Sequence, residues 1–194
     1  MKFLLYFVLI ITFCLPIYSL PTYAQKIDEN IYTQDTTQKE NKEIVLLQEE
    51  AKQHLINLIG IDTAQPNAEE IKAVRYIYTI LNKNKIDWEI FRQEKNHANL
   101  VVLLKAPIEE DKKQPTMLLI SHLDTATIQE NWSMPPIKAT IKDNKIYGLG
   151  ASDAKNYVAI NLTLLTYFQK HKELLNRDLL KNISVTFDNK KNIV

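Results

Sequence analysis

The sequence predicts an α/β fold, and two alternations of apolar period predict it. Helical spacing governs residues 43–81 and returns over 155–170, whereas short strand-like runs lie between these stretches and after them. Helices and strands therefore intermix along the chain rather than falling into separate blocks. The composition suits a folded core, with 45% hydrophobic and 24% charged residues among 194.

The N-terminus reads as a targeting segment. Met1-Lys2 is a short cationic start, residues 3–15 form an apolar run that contains only Thr12 and the Tyr6 hydroxyl as polar groups, Pro16 interrupts it, and Thr22-Tyr23-Ala24 puts small residues at the cleavage-determining positions. This pattern predicts a signal peptide over 1–24 and an exported chain, periplasmic or secreted. Residues 3–20 also reach the lower limit of a membrane anchor. Pro16, Ser19 and the Thr-x-Ala ending favour cleavage, after which no stable membrane span remains. Residues 25–42 are polar, lack Gly and Pro and show no apolar period, so they read as a polar leader.

The elements then follow in order. Ile44, Leu47, Ala51, Leu55 and Leu58 share one helical face, and Gly60 stands just past its end as a stop. A second helix follows Pro66, where Asn67 and Glu70 have capping-box spacing and Ile71, Val74, Ile77 and Leu81 continue the stripe. Ile86, Trp88 and Ile90 alternate with polar residues, and 100–104 and 117–120 are continuous apolar runs, the pattern of central strands covered on both faces. Residues 139–142 and 145–147 around Asp143-Asn144 predict a hairpin. A helix over 155–170 turns Val158, Leu162, Leu165 and Phe168 inward, and a last strand is predicted at 183–187.

Charge and cysteine content exclude several functions. With 24 Lys+Arg against 23 Asp+Glu, the net charge of +1 leaves no basic surplus for nucleic acid. The single cysteine, Cys14, lies inside the signal segment. Disulfides, thiolate nucleophiles and Cys-based zinc sites are thereby excluded beyond it, and a metal site must use His and carboxylates.

Two motifs carry chemistry. His122 and Asp124 close an apolar strand, and their i, i+2 spacing can put both side chains on one side of an extended backbone. There a carboxylate can fix the orientation of a metal-binding imidazole. The octapeptide Gly148-Leu149-Gly150-Ala151-Ser152-Asp153-Ala154-Lys155 holds two of the chain's three glycines, which requires positive φ or a close backbone approach. Asp153 stands where a helix begins, ionised and available as a ligand. Each motif alone also has a plain reading: His-x-Asp as a structural pair, and Ser152 or Asp153 as a helix cap. His54, His97 and His171 read as exposed or structural, and the Asn131, Asn161 and Asn182 sequons carry no meaning in a bacterial chain.

In combination, Leu118-Leu119-Ile120-Ser121-His122-Leu123-Asp124-Thr125, then Trp132 with Pro135-Pro136, then Tyr147-Gly148-Leu149-Gly150-Ala151-Ser152-Asp153-Ala154-Lys155 resemble the two first signatures of the di-zinc aminoacylase, carboxypeptidase G and acetylornithine deacetylase-type metallopeptidase family. The resemblance covers residues 43–187 and corresponds to the N-terminal part only. It implies a mixed central sheet flanked by helices and a hydrolase of peptide or N-acyl amino acid amide bonds. His122 would be a ligand of one zinc, Asp124 its orienter, and Asp153 a carboxylate bridging two zinc ions that activate water and polarise the scissile carbonyl.

The departures from that pattern are concrete. Where the family carries two adjacent glutamates after the last strand, this chain reads Phe187-Asp188-Asn189-Lys190-Lys191. Asn156-Tyr157 replaces the small residues that usually follow the lysine matching Lys155. The later ligands and the lid or dimerisation domain are absent. The resemblance therefore implies an incomplete zinc-peptidase catalytic domain, 43–194, inactive or nearly so alone, with partial zinc binding and a possible separately encoded C-terminal half. The alternative is a non-catalytic secreted protein that binds a small peptide or a single metal.

Overall fold

The computed structural model describes residues 34–66, 68–92 and 96–184. The signal segment, Asn67 and residues 185–194, including Asp188, Lys190 and Lys191, lie outside them. The chain divides into Met1–Glu40 and Asn41–Val194, and the fold below is that of the second unit.

In chain order the elements are α1 (Gln34–Ile59), α2 (Glu70–Lys83), β1 (Trp88–Arg92), β2 (Ala98–Leu104), β3 (Gln114–His122), β4 (Thr140–Lys142), β5 (Lys145–Tyr147), α3 (Lys155–Lys170) and β6 (Arg177–Ser184). Helix α1 starts inside the expected leader rather than at Glu43. Its first residues are Gln, Asp, Thr, Lys, Glu and Asn without Gly or Pro, and extending an existing helix adds a hydrogen bond for each residue fixed. Gly60 ends it as expected, donating its N–H to the Ile56 carbonyl at 3.2 Å. The capping-box reading rests on Asn67, which lies outside the described residues. Helix α2 begins at Glu70 with Glu69 in the capping position and no side-chain cap, and Glu70 turns instead into the protein, fully buried.

The main sheet has the order β1-β2-β6-β3. β1, β2 and β6 pair antiparallel and β6 with β3 parallel, so the sheet is mixed, as expected. Parallel neighbours cannot be joined by a tight turn, and α3 lies in the connection from β3 to β6. The hairpin β4–β5 forms with Asp143 and Asn144 both at positive φ, 50° and 56°, the turn whose twist matches antiparallel strands.

One face of the sheet is covered. Leu100, Val102 and Leu104 of β2 and Ile183 of β6 join Leu58 of α1, Val74, Ile77 and Leu81 of α2 and Val158, Leu162 and Leu165 of α3 in a single core. The other face is not covered by any described residue: Phe91, Leu103, Leu118 and Ile120 are 43–55% exposed. β3 is moreover an outer strand. The expectation of strands covered on both faces is thus corrected. An apolar run reports what a strand is suited to, and a neighbour must still be present to cover it. β6 begins six residues earlier than the predicted 183, because Lys181 and Asn182 interrupt the apolar pattern that would have revealed Leu179 and Leu180.

Lys181 is the anomaly of the core. It is 0% exposed, and its ammonium donates to Ser121 Oγ at 2.7 Å. Burial pulls its amine from the ordinary value of 10.5 down to about 7. In the unfolded chain the amine stays protonated up to about 10.5, so between pH 7 and 10.5 folding releases a proton and stability rises with pH. The slope is at most about 1.4 kcal/mol per pH unit. Lys181→Met is expected to stabilise the fold most below pH 7 and to flatten this rise, as read from urea midpoints between pH 6 and 10; parallel curves for the two proteins would contradict the burial of a charge here.

Candidate metal centre

The site is built where β3 ends. His122 is the last residue of β3, and the loop after it is pinned by the segment following α1. Thr63 Oγ1 donates to the Leu123 carbonyl at 2.6 Å, Thr125 N–H donates to the Thr63 carbonyl at 2.9 Å, and Gln65 N–H donates to the Thr125 carbonyl at 3.0 Å. Leu123 and Thr63 are fully buried, so this small ladder is shielded from water and fixes the backbone carrying His122 and Asp124.

The glycine turn comes against the same loop. Gly150 has φ +80°, and a Cβ there would lie 2.7 Å from Thr125 Cγ2 and 3.0 Å from Lys155 Cδ. A Cβ on Gly148 would meet Ile59 Cγ2 at 2.5 Å. Both glycines therefore allow backbone approaches that no other residue fits, as their clustering predicts. Lys155 locks the turn from below: its stem is buried, and Nζ donates to the Ile61 carbonyl at 2.8 Å. Burial lowers its amine to about 8, with the Asp62 carboxylate opposing.

These contacts bring the three sequence-predicted residues together. His122 Nδ1 lies 3.1 Å from Asp124 Oδ1, and His122 Nε2 lies 3.0 Å from Asp153 Oδ1. The plain reading of Asp153 as a helix cap does not hold. Helix α3 is preceded by Ala154 in the capping position, without a side-chain cap, and the Asp153 side chain is 88% exposed and turned to His122.

Both imidazole nitrogens thus face carboxylate oxygens. A neutral ring that donates Nδ1–H to Asp124 presents a lone pair at Nε2 to the Asp153 carboxylate, acceptor against acceptor. A shared proton or a cation between them removes the conflict. A neutral imidazole nitrogen and a carboxylate oxygen are zinc donors, and a carboxylate on the far nitrogen sets the tautomer that zinc requires. In that sense the residues fit a metal. Among the described residues no group of three or more His, Cys, Asp or Glu side chains is placed to close around one.

A second pair adjoins the site and is not apparent in the sequence. Glu70 Oε2 lies 2.6 Å from His97 Nδ1, joining the start of α2 to the turn before β2. Burial pushes the Glu70 carboxyl above its usual range, His97 opposes this, and the Asp124 charge adds to it. Only the capping-box spacing drew attention to Glu70, and it suggested a different role. The other histidines are structural or peripheral: His54 Nδ1 meets Tyr76 Oη at 2.6 Å, and His171 sits beside Glu43 and Glu173.

A mixed sheet flanked by helices carries an imidazole between two carboxylates at a strand end. The model of Peptidase family M20/M25/M40 matches residues 118–181, which contain all three site residues. A probable succinyl-diaminopimelate desuccinylase of Staphylococcus aureus strain MRSA252 is 29% identical over 129 residues, 66% of this chain and 30% of that protein. Over these residues the chain is similar to M20-type metallopeptidases. It spans about a third of the length of such relatives. In fold it is similar to human carnosine dipeptidase 1, with TM-score 0.59, 18% identity and coverage of 76% of this chain and 34% of that one. A tripeptidase of Staphylococcus aureus gives TM-score 0.52, 20% identity and coverage of 70% and 35%.

Zinc added to the chain is expected to bind weakly at one equivalent. His122→Ala should abolish that binding and Asp124→Ala weaken it about 10–100-fold by releasing the ring, as measured by calorimetric titration. Equal affinities in all three proteins would place the ion elsewhere.

Proposed function

We propose that this chain is part of an exported zinc-dependent hydrolase of amide bonds in small peptides or N-acyl amino acids. The observation that carries the reading is the placement of His122 between Asp124 and Asp153, at 3.1 and 3.0 Å, within the segment matched by the family model. His122 Nε2 and Asp153 Oδ1 would hold the metal. Zinc bound there would polarise a carbonyl and make water a nucleophile near neutral pH.

The chain's own residues do the rest of what can be derived. Asp124 accepts the Nδ1 proton of His122 and keeps the Nε2 lone pair directed at Asp153. The ladder through Thr63 and Thr125 holds the loop that carries His122 and Asp124. Glu70 is buried and paired with His97, and burial together with the Asp124 charge pushes its carboxyl above the usual range.

General-base assistance contributes about 10²–10⁴-fold in such hydrolyses. Residues 188–191, Asp-Asn-Lys-Lys, offer no glutamate pair for it. A polypeptide of residues 1–194 alone is therefore proposed to be inactive or nearly so. The desuccinylase relatives are named for a succinyl amide substrate, which supports an N-acyl amino acid as the probe. A separately encoded C-terminal half has no support in the comparisons and is not part of the proposal.

A second reading, a secreted protein holding a single metal without turnover, is favoured by the same two-donor geometry. The distinguishing experiment uses chain purified from the export fraction, expected to begin at Gln25, with zinc and N-succinyl or N-acetyl amino acids. Binding without measurable hydrolysis is expected for residues 25–194. Grafting Glu at Asn189 and Lys190 is expected to raise turnover if the site belongs to a hydrolase, and no gain despite zinc binding would favour the binding protein.

A further inference from the structure

A cavity of about 220 Å³ opens beside the centre, walled by Asp62, Ala64, Gln65, Pro66, Thr127 and Ile128. None of the three site residues lines it. Its two walls are nevertheless tied to the site loop, since Gln65 N–H bonds the Thr125 carbonyl, and Thr127 follows Asp124 by three residues. The volume is below the ~300 Å³ of a cleft that holds a whole drug-sized ligand, and it suits a single side chain.

The chemistry of the walls selects what enters. On the 62–66 side Ala64 N–H bonds Asp62 Oδ1 at 2.9 Å, Gln65 N–H bonds the Thr125 carbonyl, and Pro66 has no N–H. This wall offers acceptors, the second oxygen of Asp62 and the Gln65 amide carbonyl, with apolar surface from Ala64 and Pro66 and from Ile128 opposite. An anion would meet the like charge of the Asp62 carboxylate. Lys155 feels the Asp62 charge, but its side chain is fully buried and its Nζ is held by the Ile61 carbonyl.

We propose that this cavity binds a primary ammonium group on a short aliphatic chain, such as a lysine-type side chain, with the ammonium on Asp62 and the methylenes against Pro66, Ala64 and Ile128. Occupancy needs neither zinc nor turnover, so it stands or falls apart from the hydrolase reading.

The test is a ¹H–¹⁵N titration of the full 194-residue chain with n-butylammonium chloride, with 1-butanol and sodium butyrate as controls of the same length. The amides of Ala64, Gln65, Thr127 and Ile128 are expected to shift saturably with the amine and with neither control. Asp62→Asn keeps the oxygen that receives the Ala64 N–H and removes the charge, and should weaken binding about fivefold. Thr127→Lys, a change at an exposed position, should abolish it. No saturable shift, equal shifts with butanol, or unchanged affinity in both variants with otherwise native spectra would overturn the proposal.

Discussion

The close approach of Gly150 to Thr125 is the constraint on which the site depends. Asp153 is 31 residues from His122 in sequence, and it reaches the ring only because the turn at 148–154 sits directly on the loop after β3. A side chain at position 150 would require both positive φ and a contact of 2.7 Å with a buried threonine. Thr125 cannot retreat, because its N–H and carbonyl are both bonded to the segment 63–65. The site is thus held from three directions: β3 carries His122, the turn before α3 carries Asp153, and the segment after α1 supplies backbone alone.

The sheet beneath is supported unevenly. Its inner face packs three helices into one core, yet that core contains Lys181, whose ammonium has Ser121 as its hydrogen-bond partner. Ser121 precedes His122, so the buried lysine ties β6 to β3 at the residue next to the proposed ligand. A desolvated amine is an expensive way to make such a tie. The outer face presents apolar side chains of β1, β2 and β3 to solvent among the described residues. The chain spans about a third of the length of the relatives it matches.

Much of this was legible in the sequence, for identifiable reasons. Helix α3 was bounded correctly because four apolar residues at helical spacing follow a glycine turn, and the hairpin because Asp-Asn accepts positive φ. The three site residues were visible as two motifs, and glycine scarcity pointed to the close approach that joins them. Three features were hidden because they depend on distant partners. Glu70 looked like a cap until His97 and burial gave it another use, β6 was masked by its own Lys181, and the start of α1 followed from propagation of a polar helix without an apolar stripe. The uncovered face of β3 was misread because apolar pattern alone does not reveal which neighbours are present.

The most direct test of the central claim is the ¹⁵N spectrum of the His122 ring, recorded with and without zinc in the natural chain and in Gly150→Ala. The geometry predicts Nδ1 protonated on Asp124 throughout, a zinc-dependent shift at Nε2 in the natural chain, and loss of that shift in Gly150→Ala while the helical core spectrum is retained. A zinc response at Nδ1, or an Nε2 response of equal size in both proteins, would contradict a site assembled by the approach of the 148–154 turn to the loop after β3.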